Sequence, residues 1–185
     1  SKGLDITIIR PRTILGHGRL GIFQILFSWV AEGRSVYVLG RGDNVYQFVH
    51  ADDLASACIK ALDRPGAATY NIGTSEFGTM RETLEALVHH ARTGSKVRSL
   101  PLRLTTLGMQ LASVLQLAPL AHYHYLMYGQ SMYFDLEKPR RELNWEPQWS
   151  NAAMMCQSYD WYLSHATTIK TAVHSSPHQS AVKLG

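Results

Sequence analysis

The chain has 185 residues, 45% hydrophobic and 17% charged, the balance of an ordinary globular protein. That length allows one substantial domain, or one and a fragment of another. The 18 Lys and Arg against 14 Asp and Glu give +4, and Lys170 and Lys183 of the acid-free segment 165–185 supply two of those charges. No dense basic stripe is left over, so nucleic acid is not an expected partner. Cys58 and Cys156 stand far apart, which excludes a disulfide framework or a Cys-x-x-Cys clip and points to a cytoplasmic setting. No run reaches the roughly 18 apolar residues of a spanning helix, and no signal peptide is visible. The chain opens on Ser1 and enters a strand within a few residues, as a piece of a longer chain would.

In chain order, Ile6 to Ile9 is a β-branched run that predicts a strand buried on both faces and ended by Pro11. After a Gly/Arg-rich loop, Ile22, Phe23, Ile25, Leu26, Trp29 and Val30 recur at helical spacing until Gly33. Val36 to Leu39 and Phe48 to His50 are further strand candidates. Asp52 or Asp53 then caps a helix whose inward face reads as Leu54, Cys58, Ile59 and Leu62. Tyr70 to Ile72 is a strand ended by Gly73, and Thr79 to Glu82 is a capping-box pattern for a helix through Ala91. Val97 to Leu100 closes the strand set. Leu104 to Ala118 has an amphipathic pattern, and a final helix runs from about Asn151 to Ser164. Residues 1–164 read as the folded portion, and 165–185, without periodicity, as a disordered tail. Strands alternating with helices give an α/β class.

Gly16-x-Gly18-x-x-Gly21 is a literal dinucleotide pattern before a helix, with Asp43 near the distance of a ribose-binding carboxylate. Six residues separate it from the strand ending at Ile9, however, whereas a pyrophosphate turn follows its strand directly. A loop beside a site is the better reading.

Five blocks decide the matter. Gly3 to Pro11 with the loop to Arg19, Gly40-x-Gly42 followed by Phe48-Val49-His50-x-Asp52-Asp53-Leu54-Ala55, Tyr70-Asn71-Ile72-Gly73, Phe134-Asp135 with Lys138, and Glu142-Leu143-x-Trp145 with Pro147 occur in one order over residues 3–163. Together they resemble the extended short-chain dehydrogenases/reductases, the NAD-dependent epimerase/dehydratase family. The resemblance implies the C-terminal half only: the C-terminal part of a Rossmann-like parallel sheet plus a smaller, largely helical substrate-binding domain. It places the family's Gly-rich cofactor turn and Tyr-x-x-x-Lys pair upstream of Ser1. None of the nine tyrosines has a lysine four residues later, so no catalytic residue is assigned.

By the same resemblance, Pro11, Arg12 and Thr13 meet the nicotinamide of NAD or NADP, which the half upstream would mainly bind. Gly16, Gly18 and Arg19 form a loop over the substrate, and Arg41, Tyr46 and Gln47 line its site. His50, Asp52 and Asp53 read as a helix start, not as catalytic groups. His122-x-His124 lacks a carboxylate or cysteine partner, and His174 and His178 flank Pro177, so no metal is expected. No G-x-S-x-G elbow exists. Sugar-nucleotide members of the family place a diphosphate-binding arginine where Tyr46 stands here, and another where residues 129–133 have none. Losing both weakens the case for a sugar nucleotide and favours a less charged secondary alcohol.

The function expected from this reading is the substrate-binding half of an NAD(P)-dependent epimerase/dehydratase or reductase, working on a sugar nucleotide or a secondary alcohol. The alternative is a non-catalytic binding or interaction module derived from the family. A homodimer is among the expected partners.

Overall fold

The computed structural model describes residues 5–21, 23–101 and 130–175, with side chains placed through residue 167. The predicted Leu104–Ala118 helix and the His122, His124 and His178 readings lie outside the described residues.

Strand β1 is Thr7–Pro11, β2 Thr13–Leu15, β3 Val36–Leu39, β4 Val45–Tyr46, β5 Phe48–His50, β6 Ala68–Ile72, β7 Gly78–Thr79 and β8 Val97–Leu100. Helix α1 is Phe23–Ala31, α2 Ala51–Leu62, α3 Met80–Ala91, α4 Glu137–Leu143 and α5 Asn151–Ser175. Three pairs are parallel: β1 with β6, β2 with β5, and β3 with β8. Parallel strands need crossovers, and the helices supply them. Strands β4 and β7 make a short antiparallel pair.

These pairings begin at Thr7, and the helical part runs on to Ser175, so Rossmann-like sheet and helical region together span almost the entire chain. The expectation of only the C-terminal part of such a sheet is corrected accordingly. The three parallel pairings all close within this chain's own described strands.

Two cores hold the layers together. One packs Phe23, Phe27 and Val30 of α1 against Val36 and Val38 of β3, Leu84 and Leu87 of α3, and Met154, Met155 and Tyr159 of α5. The other gathers Val49, Ala57, Ala61, Tyr70, Ile72, Leu136, Leu143 and Trp145. Burial of this apolar area is the main stabilising term.

Local signals explain several boundaries. Gly33 adopts φ +72° after α1, and a Cβ there would sit 2.9 Å from the Thr93 carbonyl oxygen, so glycine serves both turn and packing. The Thr79–Glu82 capping box is formed in full.

Elsewhere the structure departs from expectation. Strand β1 is not buried on both faces: Ile6 and Ile8 are about half exposed. On α2 the buried stripe is Asp53, Ala57 and Ala61, while Cys58, Ile59 and Leu62 face out. Small side chains win there because the bulky Trp145 indole packs into the same cluster. Helix α5 continues past Ser164 into the segment expected to be unstructured.

Candidate functional site

The end of β1 turns directly into β2, and the turn puts Arg12 and Thr13 beside β4. The Arg12 backbone N–H donates to the Ile72 carbonyl at 2.9 Å, which fixes the strand end. Its guanidinium carbon lies 5.1 Å from the centroid of the Tyr46 ring and 5.2 Å from that of Phe134. Nη2 donates to the Met132 carbonyl at 3.2 Å. Nε is buried and has no hydrogen-bond partner among the described residues. Thr13 Oγ1 and the Tyr46 hydroxyl share a hydrogen bond of 2.7 Å.

Gln47, fully buried, faces the other way. Its amide nitrogen donates to the Thr74 carbonyl at 2.7 Å, and its oxygen accepts the Phe134 N–H at 2.9 Å. Buried amides need such partners, so Gln47 is a brace that positions Phe134. Asn151, at the start of α5, clasps β4 and β5 by donating to the Tyr46 carbonyl at 2.6 Å and accepting the Phe48 N–H at 3.1 Å.

Of the residues singled out in the sequence, the structure thus brings Arg12, Thr13, Tyr46 and Gln47 together. Pro11 ends the same strand and is exposed. Phe134 and Met132 complete the cluster; only Phe134 had been marked, as part of a family block. Met132 carried no signal, because it takes part through its carbonyl alone.

The glycine loop lies elsewhere. Strand β2 does lead directly into Gly16, contrary to the spacing argument, and α1 follows Gly21. A Cβ on Gly16 would meet Ala51 Cβ at 3.0 Å and His50 Nε2 at 3.2 Å, so the loop packs closely on the start of α2. The Arg19 N–H is already bonded to the Gly16 carbonyl at 3.1 Å. A Cβ on Gly18 would meet the Trp161 ring at 3.6 Å. This loop does not fit a pyrophosphate cradle. Arg19 is exposed. Arg41 lines a separate depression of about 390 Å³ with Gly42, Asp43, Thr79, Arg81, Glu82 and Ser99, its side chain 91% exposed beside Asp43.

His50 is the N-cap of α2: its Nδ1 accepts the Asp52 N–H at 3.2 Å. Its Nε2 lies 2.7 Å from Gln157 Oε1, and its ring stacks on Trp149. Donor atoms of His17, His50 and Asp52 fall within 4.8 Å of one another. Both His50 nitrogens are engaged, however, so the group presents no complete ligand set for a metal. Asp53 does not cap the helix with its side chain. It is buried, and its carboxylate accepts the N–H groups of Gln148 and Trp149. Burial raises its pKa, and those two bonds oppose the rise.

With this geometry in hand, residues 1–73 match the model of the NAD dependent epimerase/dehydratase family. An uncharacterized protein of Sinorhizobium fredii is 52% identical over 181 residues, covering 98% of this chain and 46% of that protein. A UDP-glucuronate 4-epimerase of Thermodesulfobacterium geofontis is 25% identical over 176 residues, covering 91% and 46%. Among solved structures, UDP-glucose 4-epimerase from Thermotoga maritima with UDP-glucose aligns with a TM-score of 0.65 at 20% identity, over 89% of this chain and 48% of that one. The epimerase of Methanothermobacter thermautotrophicus aligns with a TM-score of 0.67 at 16% identity, over 91% and 46%.

The chain spans about half the length of the curated relatives it matches. Its likeness to epimerase/dehydratase proteins extends over nearly all of its own residues and includes a Rossmann-type region at the N-terminal side. The expectation of a C-terminal half alone is corrected by that finding. So is the function drawn from it, a substrate-binding half deprived of its Rossmann part. The same likeness supports NAD(P) binding in general, and gives no support to placing that binding mainly upstream of Ser1.

Proposed function

We propose that the chain belongs to the NAD-dependent epimerase/dehydratase family, uses NAD or NADP, and recognises a nucleotide-linked sugar. The observation that carries the reading is the convergence of Arg12, Thr13, Tyr46, Gln47 and Phe134 where β1 passes into β2. Ligands of parallel α/β sheets collect at such carboxyl ends. The family match supports the membership and the cofactor, and the UDP-sugar epimerases among the relatives support the substrate class.

On this reading Pro11 and Thr13 stand toward the cofactor, while Arg12, Tyr46 and Gln47 shape the sugar-nucleotide side. Gly16, Gly18 and Arg19 stay in the separate glycine loop, and Arg41 in its own depression, so neither is part of this cluster. Hydride exchange with a sugar carbon is the chemistry the cofactor supplies when bound. What these residues contribute is orientation and exclusion of water. No described helix is long and apolar enough to cross a membrane, and we place the protein in the cytoplasm.

The test is calorimetry of the 185-residue chain against UDP-glucose, UDP-glucuronate, GDP-fucose and a set of uncharged secondary alcohols. Saturable binding of a nucleotide sugar, weakened by Tyr46→Ala, is the expected result. Binding of the alcohols alone would overturn the substrate class.

A binding module without turnover is the second reading. It is favoured by one feature, the lack of any Tyr-x-x-x-Lys among nine tyrosines.

A further inference from the structure

We infer that Arg12 is the residue that holds a phosphoryl group of the substrate, supplying from the β1–β2 turn the guanidinium that β4 lacks. The inference rests on the nucleotide-sugar reading above and names the group within it that Arg12 recognises.

Three observations support it. First, the guanidinium is fixed before any ligand arrives. It lies 5.1 and 5.2 Å from the Tyr46 and Phe134 ring centroids, and Nη2 is tethered to the Met132 carbonyl. Aromatic faces hold a guanidinium and leave its edge donors free, so little order remains to be lost on binding. Second, those donors are not used up. Nε is buried and unpartnered among the described residues, and Nη2 has a hydrogen beyond the one given to Met132. A buried charged donor without an acceptor is costly, and an anion removes that cost.

Third, among the described residues neither Arg41 nor Arg81 supplies this guanidinium. Position 46 is tyrosine, and residues 129–133 carry no arginine. Arg81 is spent on the Arg41 carbonyl, Glu85 and Ser99. Arg41 lies in a different depression and pairs with Asp43. The Tyr46 ring, standing where an arginine was expected, instead carries Arg12 on its face. Thr13 locks that ring through its hydroxyl. Arginine and aromatic have in effect exchanged strands, and the positive charge stays at the site.

The experiment titrates the full chain, by calorimetry, with uridine, thymidine and guanosine and with their 5′-diphosphates. Wild type is expected to bind one diphosphate about tenfold or more tightly than its nucleoside. Arg12→Gln should shrink that ratio to about twofold while leaving nucleoside affinity in place, and Arg12→Lys, which keeps charge without the fork, should fall between. Exposed Arg10→Gln should match wild type. If Arg12→Gln does not fold by circular dichroism, Arg12→Lys decides, and an unaltered ratio there overturns the inference.

An unaltered ratio in a folded Arg12→Gln overturns it as well, while leaving the nucleotide-sugar reading intact. A preference for UDP-glucuronate over UDP-glucose that disappears in Arg12→Gln, with the diphosphate ratio kept, would assign Arg12 to a sugar carboxylate and overturn the phosphoryl assignment. Wild type that binds neither nucleosides nor diphosphates sinks the functional reading, and this inference with it.

Discussion

The carboxylate of Asp53 accepts the backbone N–H of Trp149 at 3.2 Å, and that of Gln148 at 3.0 Å, strapping the start of α2 to the segment that leads into α5. The Trp145 indole N–H reinforces the strap by reaching the Asp53 carbonyl and Ser56 Oγ. Trp149 also stacks on His50. Removing the carboxylate would therefore loosen the chain behind the site without touching the site.

Asp53→Ala leaves two N–H groups without acceptors and should cost about 2–4 kcal/mol in urea unfolding at neutral pH. Asp53→Asn separates the charge from the bonds. Because burial raises the Asp53 pKa, the folded state holds that proton more tightly than the unfolded chain does. Its contribution to stability therefore falls as pH rises from the ordinary carboxylate value through the raised one. Asparagine does not titrate, so the deficit of Asp53→Asn against wild type should be largest below that window and narrow above it. A deficit that widens with rising pH would contradict the account.

Gly73→Ala tests the brace behind Phe134. The missing Cβ of Gly73 lets the Gln47 amide lie directly over the backbone, and a methyl there would collide with that amide. The substitution should cost about 1–3 kcal/mol. Much of the loss should return in the double variant Gly73→Ala/Gln47→Ala relative to Gln47→Ala alone, since the obstacle is then gone. Additive losses in that cycle would show that the two do not meet.

The contrast between Thr79 and Asp53 shows what the sequence could tell. Thr79 and Glu82 satisfy each other within one turn, so four letters contain the whole interaction. The bonds of Asp53 go to residues 95 and 96 positions away. Locally it resembled a cap, and His50 took that role. Strands β1, β3, β5 and β6 were legible as β-branched or aromatic runs, and β8 more faintly, from Val97 and Leu100. Strands β4 and β7 have two residues each and exist only through their pairing. The periodicity of α2 was right for Leu54, which packs against the core, and misled at Ile59 and Leu62, which outweigh Ala57 and Ala61 in hydrophobicity yet face out. At the site, Tyr46 and Gln47 were visible as departures from a pattern. That Arg12 lies on the Tyr46 ring could be read only from the fold, across 34 positions.

Tyr70→Phe should alter acid stability. The Tyr70 hydroxyl donates to Glu142 Oε2 at 2.9 Å, and that bond is the first cause of the lowered Glu142 pKa, with Arg141, Lys138 and Arg64 adding to it. A depressed carboxyl contributes stability that is present above its unfolded value and lost as pH falls through the folded one. Without the hydroxyl the depression shrinks, so wild type and variant should differ more above the ordinary glutamate range than well below it. Parallel curves of stability against pH would assign the Glu142 shift to its cationic neighbours instead.

The 185-residue chain, assayed by itself, should show no NAD(P)H-linked turnover of a nucleotide sugar. Proton transfer at a sugar hydroxyl needs a group of matched pKa within hydrogen-bond reach, and in the epimerase/dehydratase family that the chain resembles a tyrosine beside a lysine provides it. Among the described residues, the tyrosine in contact with Arg12 is Tyr46, only 6% exposed, with its hydroxyl bonded to Thr13 and its ring under a guanidinium. Four positions on stands His50, whose ring caps α2 and meets Gln157, so it cannot act as the lysine would. Recognition without turnover is the expected behaviour. The measurement is absorbance of the reduced nicotinamide with UDP-glucose or UDP-glucuronate as substrate, beside the binding titration. Turnover that survives Tyr46→Phe would show that a general acid/base outside this cluster operates in the chain. Turnover abolished by Tyr46→Phe, with binding kept, would place the acid on Tyr46 itself.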